Sequence, residues 1–237
     1  TGKLPDGVSV KQICGTDTEF RVINELSYTV GTVVQALRAN YDIVHAHSNT
    51  ASFPLQLLRF TDAATVFTVH GASLDLSVTY AGSSLDVIYS LVRRIILRQF
   101  EYDAMISVND KLASILSSHH DRVEFIPNGV DVEAFPEPSE FSKEILFVGR
   151  LRPKKNPVDL VEAMPAVLDR HPGAKLHVVG EGPLEDEVIK AIRGHDLEDS
   201  VSVYGRVSDE RLTELYRDSS VFVLPSDWEG HPLVLLE

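Results

Sequence analysis

The chain has one cysteine, no Gly-Gly pair, no apolar run of membrane-spanning length, and too few basic residues to balance its acidic ones. Each shortage excludes something. A lone thiol, Cys14, cannot close an internal disulfide, which fits a reducing compartment. Without ~20 consecutive apolar residues no transmembrane helix is expected, and no signal peptide is read at the start, so the expected location is cytoplasmic. Lys and Arg number 22 against 35 Asp and Glu, and the net charge of −13 has the wrong sign for binding a nucleic-acid backbone. An acidic surface of this kind also keeps proteins soluble at high salt. No His, Asp or Cys set has metal-ligand spacing: His119 and His120 are adjacent and point apart, and Cys14 stands alone. Neither a metal nor a bound cofactor is expected.

What is present is the material of an ordinary globular protein. At 237 residues and 43% hydrophobic content the chain can build one large or two modest domains with real cores. Short apolar strands alternate with amphipathic helices, the pattern of parallel α/β sheets. The expected strands are Val8 to Ile13, Ile43 to His45, Thr65 to Val69, Ala104 to Val108 and Val123 to Ile126, then Ile145 to Val148, Lys175 to Val179, Val201 to Tyr204 and Val221 to Leu224. Between the two sets runs a stretch rich in proline, acidic residues and turn formers, read as an interdomain linker. The expected organisation is a first domain over 1–127, a linker over 128–142 and a second domain over 143–237. In the helix expected from Pro157 to Arg170, Leu160, Val161, Met164, Val167 and Leu168 recur at helical spacing and should face the sheet, and Pro165 should kink it.

Two segments carry chemistry. The first is Glu229-Gly-His-Pro-Leu-Val-Leu-Leu-Glu237, which follows the strand Val221 to Leu224 and contains Pro232, suited to a first helical position. Unpaired N–H groups at a helix start favour an anion, and carboxylates beside them suit hydroxyl-rich ligands. The second runs from Ile145 to Pro157: a strand, then a loop holding Arg150, Arg152, Lys154 and Lys155, then a helix with Asn156 as its expected N-cap. An Arg fork and mobile Lys charges beside a helix start can hold a diphosphate. Against an acidic background, four basic residues in six stand out.

In order along the chain stand Tyr41-Asp-Ile-Val-His-Ala-His47, Thr68-Val-His-Gly71, Ile106-Ser-Val108, Ile126-Pro-Asn-Gly-Val-Asp131, Phe147-Val-Gly-Arg-Leu151 with Lys155, Val178-Val-Gly-Glu-Gly-Pro183, Val203-Tyr-Gly205 and the paired glutamates. This ordered set resembles the retaining glycosyltransferases of family four. The resemblance implies the GT-B architecture, an α/β fold of two Rossmann-like parallel-sheet domains facing a cleft. It implies transfer of a sugar from a nucleotide-diphosphate sugar to a hydroxyl on a glycan, lipid or small molecule, with retention and without metal. It gives Arg150 and Lys155 to the donor diphosphate, Glu229 to the donor sugar and Glu237 to the ribose hydroxyls. The backbone of Gly230, His231, Pro232 and Leu233 falls to the sugar or its phosphate, and the region of Val207 to the base. His70 is placed near the donor sugar and acceptor hydroxyl. His47 is read as structural, and Gly180 and Gly182 as a tight turn before a helix opened by Pro183. The family usually has a large apolar residue where His231 stands, so sugar specificity does not carry over.

The same resemblance places a first strand and a glycine-rich acceptor loop before Thr1, and further helices after Glu237. On that expectation these residues form two lobes but transfer no sugar by themselves. Ser90 to Arg98 interleaves Arg93, Arg94 and Arg98 with apolar residues; it fits either an internal helix with a solvated face, the favoured reading, or peripheral contact with anionic lipid at the inner face of the membrane. Two rival functions remain at this level: a nucleotide-sugar epimerase or hydrolase, and a non-catalytic nucleotide-sugar binder.

Overall fold

The computed structural model describes residues 21–39, 41–47, 55, 56, 58, 61–70, 100–134 and 141–237. The expected strand from Val8 to Ile13, Cys14 and the segment from Ser90 to Arg98 lie outside them. The chain divides into two compact units, Thr1–Pro127 and Asn128–Glu237.

In the first unit, helix α1 (Arg21–Ala39) precedes strands β1 (Ile43–Ala46), β2 (Ala64–Val69) and β3 (Ala104–Ser107), helix α2 (Asp110–Ser117) and strand β4 (Val123–Phe125). The strands lie in the order β1-β2-β3-β4, all parallel. Phe67 of β2 and Met105 of β3 are fully buried, and Leu112 and Leu116 of α2 cover them. Asn109 fixes where α2 begins, because its Oδ1 accepts from the Leu112 N–H at 2.9 Å. At the opposite strand ends, Asp103 accepts from the Thr65 N–H at 2.7 Å and the Thr65 hydroxyl at 2.8 Å.

The second unit contains β5 (Glu144–Val148), α3 (Pro157–Glu162), α4 (Met164–Arg170), β6 (Lys175–Val179), α5 (Glu185–Gly194), β7 (Val201–Val203), α6 (Asp209–Asp218) and β8 (Val221–Phe222). Its parallel strands run β7-β6-β5-β8. Successive side chains of a strand point to opposite faces, and here both faces are buried. Phe147 packs with Val161, Met164, Val178 and Val188 on one side, and Leu146 packs with Val179 and Leu215 on the other.

The expected strands are present wherever residues are described, with ends that differ by a residue or two. Tyr204 and Val223 fall outside β7 and β8, yet their N–H groups still donate to Val178 and Leu146, at 3.0 and 2.9 Å. The expected helix from Pro157 to Arg170 is two helices broken at Ala163. Pro165 has no N–H to offer the carbonyl of Val161, which is the position it should serve. The apolar face is as expected: Val161 and Met164 are fully buried, with Leu160, Val167 and Leu168 packed beside them.

Gly180 and Gly182 do more than turn the chain. Beyond the strands, the Gly149 N–H donates to Val179 O and the Leu151 N–H to Glu181 O, both at 3.0 Å, and the Gly180 N–H donates to Gly205 O at 2.8 Å. Three loops therefore continue the sheet's backbone contacts past its edge. A Cβ on Gly180 would lie 2.0 Å from Gly149 O, and one on Gly182 would lie 2.3 Å from Leu151 O. Gly180 also has φ +135, a conformation side-chain-bearing residues rarely adopt. Gly180→Ala is expected to cost about 3 kcal/mol by denaturant unfolding, from overpacking and backbone strain together. Gly194→Ala, at the end of α5 with nothing within 4 Å of the new methyl, should be neutral or slightly stabilising.

Candidate active site

The chain leaves β5 toward β6 and β7, then returns to the other side of β5 as β8. Strand order thus reverses between β5 and β8. In open parallel sheets, ligands bind in the crevice outside the carboxyl ends of the strands at such a reversal. The two segments singled out in the sequence are the loops that leave those strand ends.

They are bound to each other at several points. The Asp227 N–H donates to Lys154 O at 3.0 Å. Asn156 Nδ2 donates to Pro225 O at 3.0 Å and to Asp227 Oδ1 at 2.8 Å. Lys154 Nζ lies over the Trp228 ring, 4.4 Å from its centroid. Lys155 Nζ donates to Glu229 Oε1, both side chains being mostly buried at 14% and 21% exposure. Burial disfavours the Glu229 charge, but the bond from Lys155, aided by Ser226 and the charge of Lys154, holds its carboxyl below the usual glutamate value. Lys155 closes a 3-10 turn, Pro153–Lys155, and Arg150, one residue past Gly149, is exposed.

Asn156 differs from expectation. It precedes α3 in the left-handed region with no side-chain cap bond, because its amide is spent on the β8 loop. Pro232 also differs: it precedes a single 3-10 turn, Leu233–Leu235, instead of opening an α-helix, and Glu237 follows that turn. Leu233 is exposed, and among the described residues the N–H groups of His231 and Leu233 have no acceptor. The His231 carbonyl accepts from Asn128 Nδ2 at 2.8 Å, and the buried Nδ1 of His231 has no partner among the described residues. Val207 is partly buried against the cluster of Leu146, Val179 and Leu215. Glu237 Oε2 accepts from the Tyr216 hydroxyl at 2.8 Å. Burial, then the Glu237 carboxylate, raise the Tyr216 phenol well above its ordinary pKa.

Sequence reading missed Asn128, Asp227, Trp228 and Tyr216. Trp228 adjoins Glu229 and is the chain's single tryptophan, a signal that was available. Asn128 and Tyr216 reach their partners across 103 and 21 residues, which no local pattern reveals.

His70, in the first unit, follows β2 and is exposed. Its Nε2 shares a hydrogen bond of 3.0 Å with Nδ1 of His47, which follows β1. The rings of His47 and His70 stack at 5.3 Å, those of His45 and His47 lie 4.1 Å apart, and His45 Nε2 bonds the Thr68 hydroxyl at 2.7 Å. His47, read as structural, is thus in direct contact with the candidate site residue His70.

The second unit is a doubly wound α/β fold in which the two loops at the strand-order reversal are joined by the Lys155–Glu229 pair. The chain's particular family follows from two models: Glycosyltransferase Family 4 matches residues 20–134 and Glycosyl transferases group 1 matches residues 131–237. The chain belongs to the group 1 glycosyltransferases of the GT-B fold. A glycogen synthase of Mycobacterium tuberculosis is 29% identical over 83% of this chain and 49% of its own length. The UDP-Gal:alpha-D-GlcNAc-diphosphoundecaprenol alpha-1,3-galactosyltransferase of Escherichia coli is 27% identical over 100% of this chain and 65% of its own. The chain thus spans about half to two thirds of these relatives. The sucrose-phosphate synthase of Thermosynechococcus elongatus shares the fold, with a TM-score of 0.72 at 20% identity over 89% of this chain and 57% of that one. Among the described residues no helix is long and apolar enough to cross a membrane.

The histidine cluster gives a measurable expectation. Burial, then the neighbouring charge of His47, depress the pKa of both His45 and His70. Ring titration by NMR should place both below the ordinary ~6.5. A depressed histidine binds its proton more weakly folded than unfolded, so its contribution to stability is complete above ~6.5 and is lost as pH falls toward and through the folded value. His47→Asn should move the His70 titration upward and shrink that loss.

Proposed function

We propose that the full-length protein transfers a glycosyl group from a nucleotide-diphosphate sugar to a hydroxyl acceptor, with retention at the anomeric carbon and without a metal ion. The observation that carries this reading is the Lys155–Glu229 pair, held between the β5 and β8 loops with exposed Arg150 at the same strand end. Arg150 and Lys155 take the diphosphate, Arg as a planar fork and Lys as a point charge. Glu229 accepts from hydroxyls of the donor sugar while keeping Lys155 in place. Glu237 accepts from the ribose, and the free N–H groups of His231 and Leu233 face the sugar or its phosphate.

As the bond between the anomeric carbon and the phosphate oxygen breaks, charge grows on the departing diphosphate, where the two cations stabilise it. The acceptor oxygen bonds to the same face of the carbon, and its proton passes to an oxygen of the leaving phosphate. The scheme assigns His70 to the donor sugar and acceptor hydroxyl, as the family resemblance implies. The Escherichia coli relative, whose name gives UDP-Gal as donor and a diphosphoundecaprenol-linked acceptor, supports this pairing of substrates. We place the protein in the cytoplasm, working at the inner face of the membrane when its acceptor is lipid-linked.

Arg150→Ala or Lys155→Ala in the full-length protein should lower kcat about 100-fold or more, as loss of a charge-stabilising donor does. Their melting temperatures should change little for Arg150 and modestly for Lys155, whose loss unpairs Glu229. Near-normal turnover by either variant, against a panel of nucleotide sugars with mass detection of products, overturns the diphosphate assignment.

Metal independence has its own test. Turnover should survive excess EDTA, since cationic side chains supply the neutralising charge. Complete loss that Mg²⁺ or Mn²⁺ restores contradicts it.

A further inference from the structure

Tyr216 lies on α6, whose start is fixed by Ser208: its Oγ accepts from the Arg211 N–H at 3.2 Å. Two residues from the helix end, the Tyr216 ring stacks on Phe222 of β8, with centroids 5.8 Å apart and planes at 22°. Leu215 beside it is buried with Leu146 and Val179, so the helix is held firmly to the sheet. A ring fixed on two sides leaves its hydroxyl one direction to point. That direction is the turn after β8: the hydroxyl lies 2.8 Å from Glu237 Oε2 and 3.4 Å from Val234 O. A phenol has one proton to donate, and the shorter bond to a charged acceptor takes it.

We propose that Tyr216 is a positioning residue for the nucleotide ribose: it holds the Glu237 carboxylate in the orientation that accepts the two vicinal hydroxyls. The proposal rests on the assignment of Glu237 to the ribose made above. A carboxylate offers about four lone-pair sites, and the phenol uses one, leaving the rest for a diol. Without the phenol, Glu237 has no other hydrogen-bond donor to its carboxylate among the described residues. Its side chain then rotates freely and must be ordered anew by each ligand, which weakens binding without altering the reacting groups. The raised pKa of Tyr216 keeps the hydroxyl protonated, and so a donor, across working pH.

The test uses ADP, GDP and UDP, each beside its 2′,3′-dideoxy analogue, titrated by calorimetry into the full-length protein and into Tyr216→Phe and Glu237→Gln. Tyr216→Phe keeps the ring, its stacking and its packing. The wild-type protein should bind the ribose form of its preferred nucleotide about tenfold or more tightly than the dideoxy form, on the scale of a hydrogen bond to a charged group. Tyr216→Phe should lose most of that preference while binding the dideoxy form as the wild type does, and should raise the donor KM with little change in kcat. If Glu237→Gln loses the preference and Tyr216→Phe retains it in full, the positioning role is overturned. If Glu237→Gln retains it, or if none of the three nucleotides binds, the ribose assignment itself fails and the proposal falls with it.

Discussion

The arrangement at the carboxyl ends of the second sheet depends on how closely three backbones approach there. Hydrogen bonds from Gly149 to Val179, from Leu151 to Glu181 and from Gly180 to Gly205 carry the ladder past the last strand residue. A methyl group at Gly180 or Gly182 would fill the space that the β5 loop occupies. That loop is hydrogen-bonded along its neighbour, Leu151 is fully buried, and the basic stretch follows it. It comes out beside β8, where Asn156, Asp227 and the Lys155–Glu229 pair join it to the second loop. The geometry of the charged residues is a consequence of glycine backbones that carry no charge.

Between these two loops one pair of charges is matched, Lys155 with Glu229. A partly buried ammonium or carboxylate alone would be costly, and pairing Lys155 with Glu229 offsets part of that cost. Arg150 and Arg152 are exposed, so this loop carries cations at the surface as well as the partly buried Lys155. Two carboxylates, Glu229 and Glu237, are each held by a donor from a different element: a lysine on the β5 loop and a tyrosine on α6.

Much of the fold was legible in the sequence because buried parallel strands read as short apolar runs, and Val8 to Ile13 is the one expected strand that falls outside the described residues. Their ends were not, since where pairing stops is set by the neighbouring strand: Tyr204 and Val223 keep a ladder bond although each lies past the last residue of its strand. The break near Pro165 followed from proline chemistry alone. Asn156 was misread because a cap is a local rule, while its amide answers to Pro225 and Asp227 across about 70 residues of chain. The role of Gly180 and Gly182 was likewise invisible locally, because what they admit is another loop's backbone. The residues given to donor binding were nameable from their types and order, and their mutual pairing was not.

The only tryptophan among these 237 residues is Trp228, next in sequence to Glu229, and it carries the Lys154 ammonium against its face. Indole emission responds to nearby charge and to solvent. A ligand that drew Lys154 toward its own phosphates, or that excluded water from the β8 loop, would change the colour or yield of that emission. The site therefore contains its own optical reporter, free of background from other indoles in this segment, with no label required.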